Sequence, residues 1–278
     1  MRIIGMDIHR DFAEVVALEG TALTHLGRVE MTRDKLRAFA AELQAADHVV
    51  LESTGNTVAV VDLLSPHVAR VAVANPLQVH LIAKAKTKTD KIDAGVLAKL
   101  YAAGFLPEVW TPDEATLARR RQVARRSQLV KQRVRLKGFV HSILHAHLVP
   151  RCPHADIFGG KGRAWLRAQV LPDDERSAVE RHIAEHDRLT IALKDIEKDI
   201  AQAALADENV QRLMTIPGID MIVAVGVMAA IGRIDRFGSP DALVAYIGLN
   251  PSVFQSGDGP ARHGRITKRG RSHARFLL

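Results

Sequence analysis

The chain has 278 residues, a formal charge of +8 from 39 Lys and Arg against 31 Asp and Glu, and one cysteine, Cys152. That length suffices for two or three domains with a sizeable core. A lone cysteine excludes an internal disulfide and any multi-cysteine zinc site, and no apolar run approaches the ~20 residues of a membrane span. The expectation is a soluble, cytoplasmic protein with no membrane partner, whose net positive charge favours a polyanion.

From the N-terminus, RIIGMDI (2–8), FAEVVAL (12–18) and the stretch 23–31 read as three successive strands, hence an antiparallel meander. Thr32 then caps an amphipathic helix with apolar residues at Leu36, Phe39, Ala40 and Leu43, its partner face being the sheet. HVVL (48–51) is a buried strand ending at Glu52, Thr57–Leu64 a short helix, ARVAVA (69–74) a fifth strand, and a helix follows Pro76. The order predicts a mixed sheet covered by helices.

The run TKTDKIDA (87–94) places Asp90 and Asp93 three residues apart at a helix start, where they share a face. Two carboxylates that close repel, and a hard divalent cation such as Mg²⁺ relieves the repulsion. Equally, Asp90 could serve as an N-cap and Asp93 as a first-turn acid. The setting favours the metal: Lys84, Lys86, Lys88 and Lys91 surround the pair, and two further acids, Asp7 and Glu52, end apolar runs upstream. Four acids in a basic surround point to metal-dependent phosphodiester chemistry.

Trp110-Thr111-Pro112 breaks the chain, and 113–148 reads as one long helix. Ten of the 39 bases lie between Ala115 and Ala155 without one Asp or Glu: Arg119, Arg120, Arg121, Arg125, Arg126, Lys131, Arg133, Arg135, Lys137 and Arg151. Such a run is either a solvated face or a tract that holds nucleic-acid phosphates. His141, His145 and His147, without cysteine or acid partners, are weak metal candidates. A loop is expected over 150–162. A helix then runs from Asp173 to Ala206, with Leu189, Leu193, Ile196, Ile200 and Ala203 at the 4-3-4-3 spacing of a coiled-coil seam, paired with the first long helix or with another chain. Pro217-Gly218 between two apolar helical runs suits a helix-hairpin-helix, in which Gly218 lets backbone N–H groups reach a phosphate. Ser239-Pro240-Asp241 starts a short helix. Near the end, Gln255-Ser256-Gly257 lies beside Arg262, Arg265, Lys268, Arg269 and Arg271. A serine hydroxyl attacks phosphate only with cations around it and a base or metal to take its proton; otherwise Ser256 is a turn former.

GMDIHRDF (5–12), LESTGN (51–56), TKTDKIDA (87–94), GLNPSVFQSG (248–257) and GRITKRG (264–270) together resemble the DEDD transposases of the insertion-sequence one-ten family. The resemblance implies an α/β plus α architecture: a ribonuclease-H-like, RuvC-like domain at 1–108, a basic helical coiled-coil stalk at 109–206, and a small, mostly helical serine transposase domain with the helix-hairpin-helix at 207–278. It implies Mg²⁺ on Asp7, Glu52, Asp90 and Asp93, with Ser256 as nucleophile in cutting and rejoining DNA. Partners implied are DNA, a structured guide RNA and further copies in a homodimer or tetramer, in a cytoplasmic, nucleoid-associated setting if the source is prokaryotic. Arg119, Arg120, Arg121, Arg125, Arg126, Lys131, Arg133, Arg135, Gly218, Arg265, Lys268 and Arg269 are the expected nucleic-acid contacts. Family members lead one to expect a further helix after RFLL, so the serine domain is expected to be cut short at Leu278. Alternatives are a RuvC-like metal-dependent structure-specific nuclease, in which water replaces Ser256, and a catalytically inactive, truncated nucleic-acid-binding remnant.

Overall fold

The computed structural model describes residues 1–82, 89–257 and 259–278, and its contacts divide the chain into two units, Met1–Thr111 and Pro112–Leu278. Lys84, Lys86 and Lys88, expected around the acidic pair, lie outside the described residues, as does the start of TKTDKIDA.

In the first unit β1 (Arg2–Ile8), β2 (Phe12–Glu19) and β3 (Ala22–Glu30) form the expected antiparallel meander. Following α1 (Arg33–Glu42), β4 (His48–Glu52) joins β1 in parallel; following α2 (Thr57–Leu64), β5 (Arg70–Ala74) joins β4 in parallel. The mixed sheet has the order β3-β2-β1-β4-β5, and α3 (Pro76–Ile82) and α4 (Asp90–Ala102) come after it. On one face Ile4, Met6, Ile8, Val49 and Leu51 pack with Leu36, Phe39 and Ala40 of α1 and Val60 and Leu64 of α2. On the other, Ile3, Leu18, Val50 and Ala72 pack with Leu97 and Ala98 of α4. Burial on both faces is why RIIGMDI and HVVLE read as nearly unbroken apolar runs.

Alternation along β1 puts Ile3, Gly5 and Asp7 on the α4 face. Gly5 is there because the helix comes so close: a Cβ on it would stand 2.1 Å from the Ala94 carbonyl oxygen and 3.2 Å from Ala98 Cβ. Backbone cannot swing aside as a side chain can. Gly5→Ala is therefore expected to cost about 1–3 kcal/mol or more through overpacking, read as a lower urea midpoint, and to displace the helix that carries Asp90 and Asp93. An unchanged midpoint would refute this close packing.

Two buried carboxylates brace the sheet. Asp47, fully buried, takes a two-pronged bond from Arg2 (Nε 2.9 Å, Nη2 2.6 Å) and one from the Gln44 amide at 2.8 Å. Burial alone pushes its carboxyl up, but these donors leave it below the ordinary range. Glu14 accepts from Arg28 Nε at 2.7 Å and stands 2.7 Å from His25 Nε2. His25 and Arg28 are three apart and would sit on opposite faces of a regular strand. The register shift between Val15 and Val16 inserts Leu26 as an extra residue and turns both toward Glu14.

The second unit begins after the Trp110-Thr111-Pro112 break. Helix α5 (Glu114–Ala146) is capped by Asp113, whose Oδ1 accepts from the Thr116 amide at 2.7 Å. After α6 (Gly160–Arg167), α7 (Asp173–Leu205) starts with three acids in its first turn, as expected. The two long helices run antiparallel within the chain. Val140 and Leu144 cluster with Val179 and Ile183, Leu129 with Leu189 and Leu193, and Val123 with Ile200 and Ala204. Two expectations are corrected here. The loop assigned to 150–162 ends earlier, because α6 begins at Gly160, where Leu166 and Trp165 pack into the α5–α7 cluster. The last seam position is Ala204, since Ala203 is exposed; a step of four from Ile200 follows the 3.6-residue period of a straight helix better than a step of three.

Helices α8 (Glu208–Met214) and α9 (Met221–Ile231) flank Pro217-Gly218, with Gly218 exposed at φ +90°. Val210, Ala224, Val225, Met228 and Ala229 share one core with Val123 and Ile200 of the long helices. Beyond α10 (Pro240–Ile247), capped by Ser239, an antiparallel hairpin of β6 (Pro251–Phe254) and β7 (Arg262–Ile266) precedes α11 (Ser272–Leu277). The hairpin was not expected: both strands are largely exposed and carry no apolar alternation to betray them.

Candidate metal-binding active site

Parallel pairing of β1 with β4 runs in register to Met6 opposite Leu51, so Asp7 and Glu52 follow side by side at the strand ends. Both fall on the face covered by α4. The helix is capped by Thr89, whose Oγ1 accepts from the Ile92 amide at 3.3 Å. Capping therefore does not fall to Asp90, which stands with Asp93 in the first turn. Asp7, Glu52, Asp90 and Asp93 line one cavity of about 480 Å³, together with His9, Pro76, Val79, His80, Thr89 and Val96.

Burial and like charge meet at Asp7. Asp7 is half-buried, and its carboxyl is pushed above the usual range by burial and by Asp93 and Asp90, against the opposing pull of His9. Nε2 of His9 lies 3.3 Å from Asp7 Oδ2 and 3.4 Å from Asp90 Oδ2. It stands within ion-pair distance of both carboxylates, and the nitrogen itself is shielded from solvent. His9 was missed in the sequence. Its signal was the D-x-H spacing in GMDIHRDF, which puts Asp7 and His9 on one side of an extended chain.

Elsewhere the expected residues separate into held and exposed. Ser256 is exposed in the connection between β6 and β7, where Gln255 Nε2 donates to the Gly259 carbonyl at 3.0 Å. Arg265 is on β7, and Lys268 and Arg269 follow it; all three are exposed. The reasoning that the ten-base tract lacks counter-acids is corrected by acids from outside it. Arg119 pairs with Asp207 at 2.7 Å, Arg121 with Glu114 at 2.5 Å, Arg126 with Glu197 at 2.7 Å and Lys137 with Asp156 at 2.8 Å. Arg120 donates to the carbonyls of Ala229 (2.7 Å) and Ala230 (3.0 Å) at the end of α9. Arg125, Lys131 and Arg135 remain exposed, and Arg133 is partly buried. His141 and His145 lie exposed on α5, and His147 faces Glu175 at 3.7 Å. Among the described residues none of the three joins a group able to hold a metal.

A five-stranded mixed sheet flanked by helices, with acids at the ends of its adjacent central strands and on the helix beside them, fits the ribonuclease-H-like fold of the DEDD class. A family model for IS110 DEDD transposases, described as "Transposase", matches residues 4–148, and one described as "Transposase IS116/IS110/IS902 family" matches residues 210–278. The chain belongs to the IS110 family of DEDD transposases. Relatives include "Putative transposase y4qE" of Sinorhizobium fredii, 32% identical over 197 residues that make up 69% of this chain and 47% of that protein. The transposase for insertion sequence element IS1111A of Coxiella burnetii is 25% identical over 100% of this chain and 76% of its own length. For the transposase of IS1328 from Yersinia enterocolitica the figures are 24%, 99% and 81%. The chain thus spans about half of the first relative and most of the other two.

Proposed function

We propose that this chain cuts and rejoins DNA as the transposase of an insertion sequence, with Asp7, Glu52, Asp90 and Asp93 holding Mg²⁺ and Ser256 attacking the phosphodiester. The observation that carries the reading is the meeting of four carboxylates, from three separate stretches of the sequence, around one cavity. Their hard oxygen donors suit Mg²⁺, and Nε2 of His9, shielded from solvent, stands between two of the carboxylates. When bound, the ion supplies Lewis-acid stabilisation of charge building on the phosphate oxygens. The residues do the rest. By holding the ion, the four carboxylates would set where that phosphate sits, Ser256 brings its hydroxyl to phosphorus, and Arg265, Lys268 and Arg269 bind the flanking phosphates. Acids and serine lie in different units, so they meet on the DNA within one chain or between two copies of a dimer or tetramer.

Three functional parts serve this reading: an acidic domain at 1–108, a stalk at 109–206 in which α5 and α7 form a coiled coil, and a serine domain at 207–278 whose Gly218 turn works as a helix-hairpin-helix on backbone phosphate. Incubating the purified chain with DNA carrying the element's ends, with and without Mg²⁺, tests it. Cutting is expected only with metal and accompanied by a protein–DNA adduct that survives denaturation. Cutting without an adduct selects water-mediated cleavage instead, and binding without cutting at any metal concentration selects an inactive remnant.

Aromatic residues are 4% of the chain, too few for extensive base stacking. Sequence choice is therefore delegated, in this proposal, to base pairing by a structured guide RNA, leaving the protein to hold backbones. Because Arg119, Arg120, Arg121 and Arg126 already have partners within the chain, the contacts that salt should reveal are Arg125, Lys131 and Arg135. Changing these three to Gln is expected to flatten the slope of log affinity against log salt by about two to three units, at roughly 0.7–0.9 per lost phosphate contact. An unchanged slope would make the tract a solvated face.

A further inference from the structure

We infer that His9 is itself a ligand of the ion held by the acidic cavity, so that the site is mixed, oxygen with one imidazole nitrogen. The inference rests on the metal reading above and adds to it a fifth protein residue outside the four acids. Nε2 of His9, Asp7 Oδ2 and Asp90 Oδ2 all lie within 4.8 Å of one another. The two separations from Nε2, 3.3 and 3.4 Å, are close to the spacing of neighbouring donors on an octahedral ion, about 3 Å for bonds of roughly 2.1 Å. The nitrogen is shielded from solvent and stands almost equally far from the two carboxylates, so it is placed beside them as a third donor.

The ring is held in place by packing and by the turn it belongs to. The His9 amide donates to the Phe12 carbonyl at 2.9 Å, closing the β1–β2 turn. Its ring lies 4.9 Å from that of Phe12, which Arg28 covers from 4.4 Å. A donor fixed this way needs little reorganisation on binding.

Nitrogen ligation changes which ions the site favours. Mg²⁺ and Mn²⁺ both favour oxygen donors, but Mn²⁺, a first-row transition ion, tolerates one imidazole beside carboxylates better than Mg²⁺ does. Mn²⁺ is also paramagnetic and reports its own donors. In the full chain loaded with Mn²⁺, pulsed electron paramagnetic resonance is expected to show a directly bonded ¹⁴N coupling, converted to the ¹⁵N pattern when histidine is ¹⁵N-labelled. His9→Ala should still bind Mn²⁺ through the carboxylates but lose the coupling, while His80→Ala, altering the other histidine that lines the cavity, should keep it. Bound Mn²⁺ without nitrogen coupling in the wild-type chain, or a coupling that survives His9→Ala, overturns the assignment and leaves the metal reading standing. Absence of Mn²⁺ binding overturns both. The labelled wild-type measurement needs no variant to fold.

Discussion

Asp7→Asn is expected to reduce metal-dependent DNA cutting by about a thousandfold while leaving the metal-free protein at least as stable as the wild type. Lewis-acid stabilisation of a phosphoryl transition state is worth several kcal/mol, and a loss of ~4 kcal/mol is about three decades of rate. Asn keeps the shape of Asp but brings no charge to the ion. Stability should move the other way. Because burial, Asp93 and Asp90 raise the Asp7 pKa in the fold, its contribution is fully present below the unfolded pKa and is lost as pH rises through the folded one. At pH 7 the ionised group therefore works against folding, and the neutral amide removes that cost. Cutting assays paired with thermal melts at pH 7, each with and without Mg²⁺, check both halves. Wild type should gain stability from the ion by mass action, about 2.7 kcal/mol at a hundred times its dissociation constant, and Asp7→Asn much less. An inactive variant that is also markedly less stable without metal would mean that Asp7 is structural.

That opposition between function and stability also explains what was legible in the sequence. Strand and helix periods placed Asp7, Glu52, Asp90 and Asp93 on their elements, since each closes or opens a strongly apolar run. Thr32 and Ser239 marked helix starts through side chains that cap backbone amides, whereas the cap of α4 is Thr89, one residue before the Asp90 the sequence offered. Contacts made by folding were not legible. The acids that neutralise Arg119 and Arg126 come from Asp207 and Glu197, 88 and 71 positions along the chain, so a local charge count made the tract look unpaired. Helix α6 opens on Gly160-Lys161-Gly162, residues that favour a loop, yet a Cβ on Gly162 would stand 2.3 Å from the Asp156 carbonyl oxygen. That glycine serves close packing there. The β2–β3 bulge that gathers His25 and Arg28 on Glu14, and the exposed β6–β7 hairpin, leave no periodic trace, since one interrupts the alternation and the other buries almost nothing.

Ser256→Ala is expected to eliminate the denaturation-resistant protein–DNA adduct altogether and to lower strand exchange by on the order of 10⁶, the scale seen when a covalent nucleophile is removed from a hydrolase triad. In the proposed step the Ser256 Oγ–P bond forms as one P–O bond of the DNA backbone breaks, and the departing strand leaves as a hydroxyl carrying the serine's proton. Other hydroxyls stand nearby, and the fold argues against them. Ser252 Oγ donates to the Arg265 carbonyl at 3.2 Å across the hairpin, and Thr267 Oγ1 donates to Asn250 Oδ1 at 2.9 Å. The first is committed to joining β6 to β7, the second to joining the residues that flank them. Ser256 is exposed where the two strands join, and Gly257 beside it takes φ +57° to let the chain turn. Ser252→Ala should therefore keep the adduct, with any loss appearing as a lower melting temperature. Denaturing gels of radiolabelled element-end DNA, followed by peptide mapping of the shifted band, decide the matter. An adduct that persists in Ser256→Ala and maps to another residue would remove Ser256 from the chemistry, whereas Asp7→Asn should lower adduct formation by the same thousandfold as cutting, because the proposed step draws on both sites.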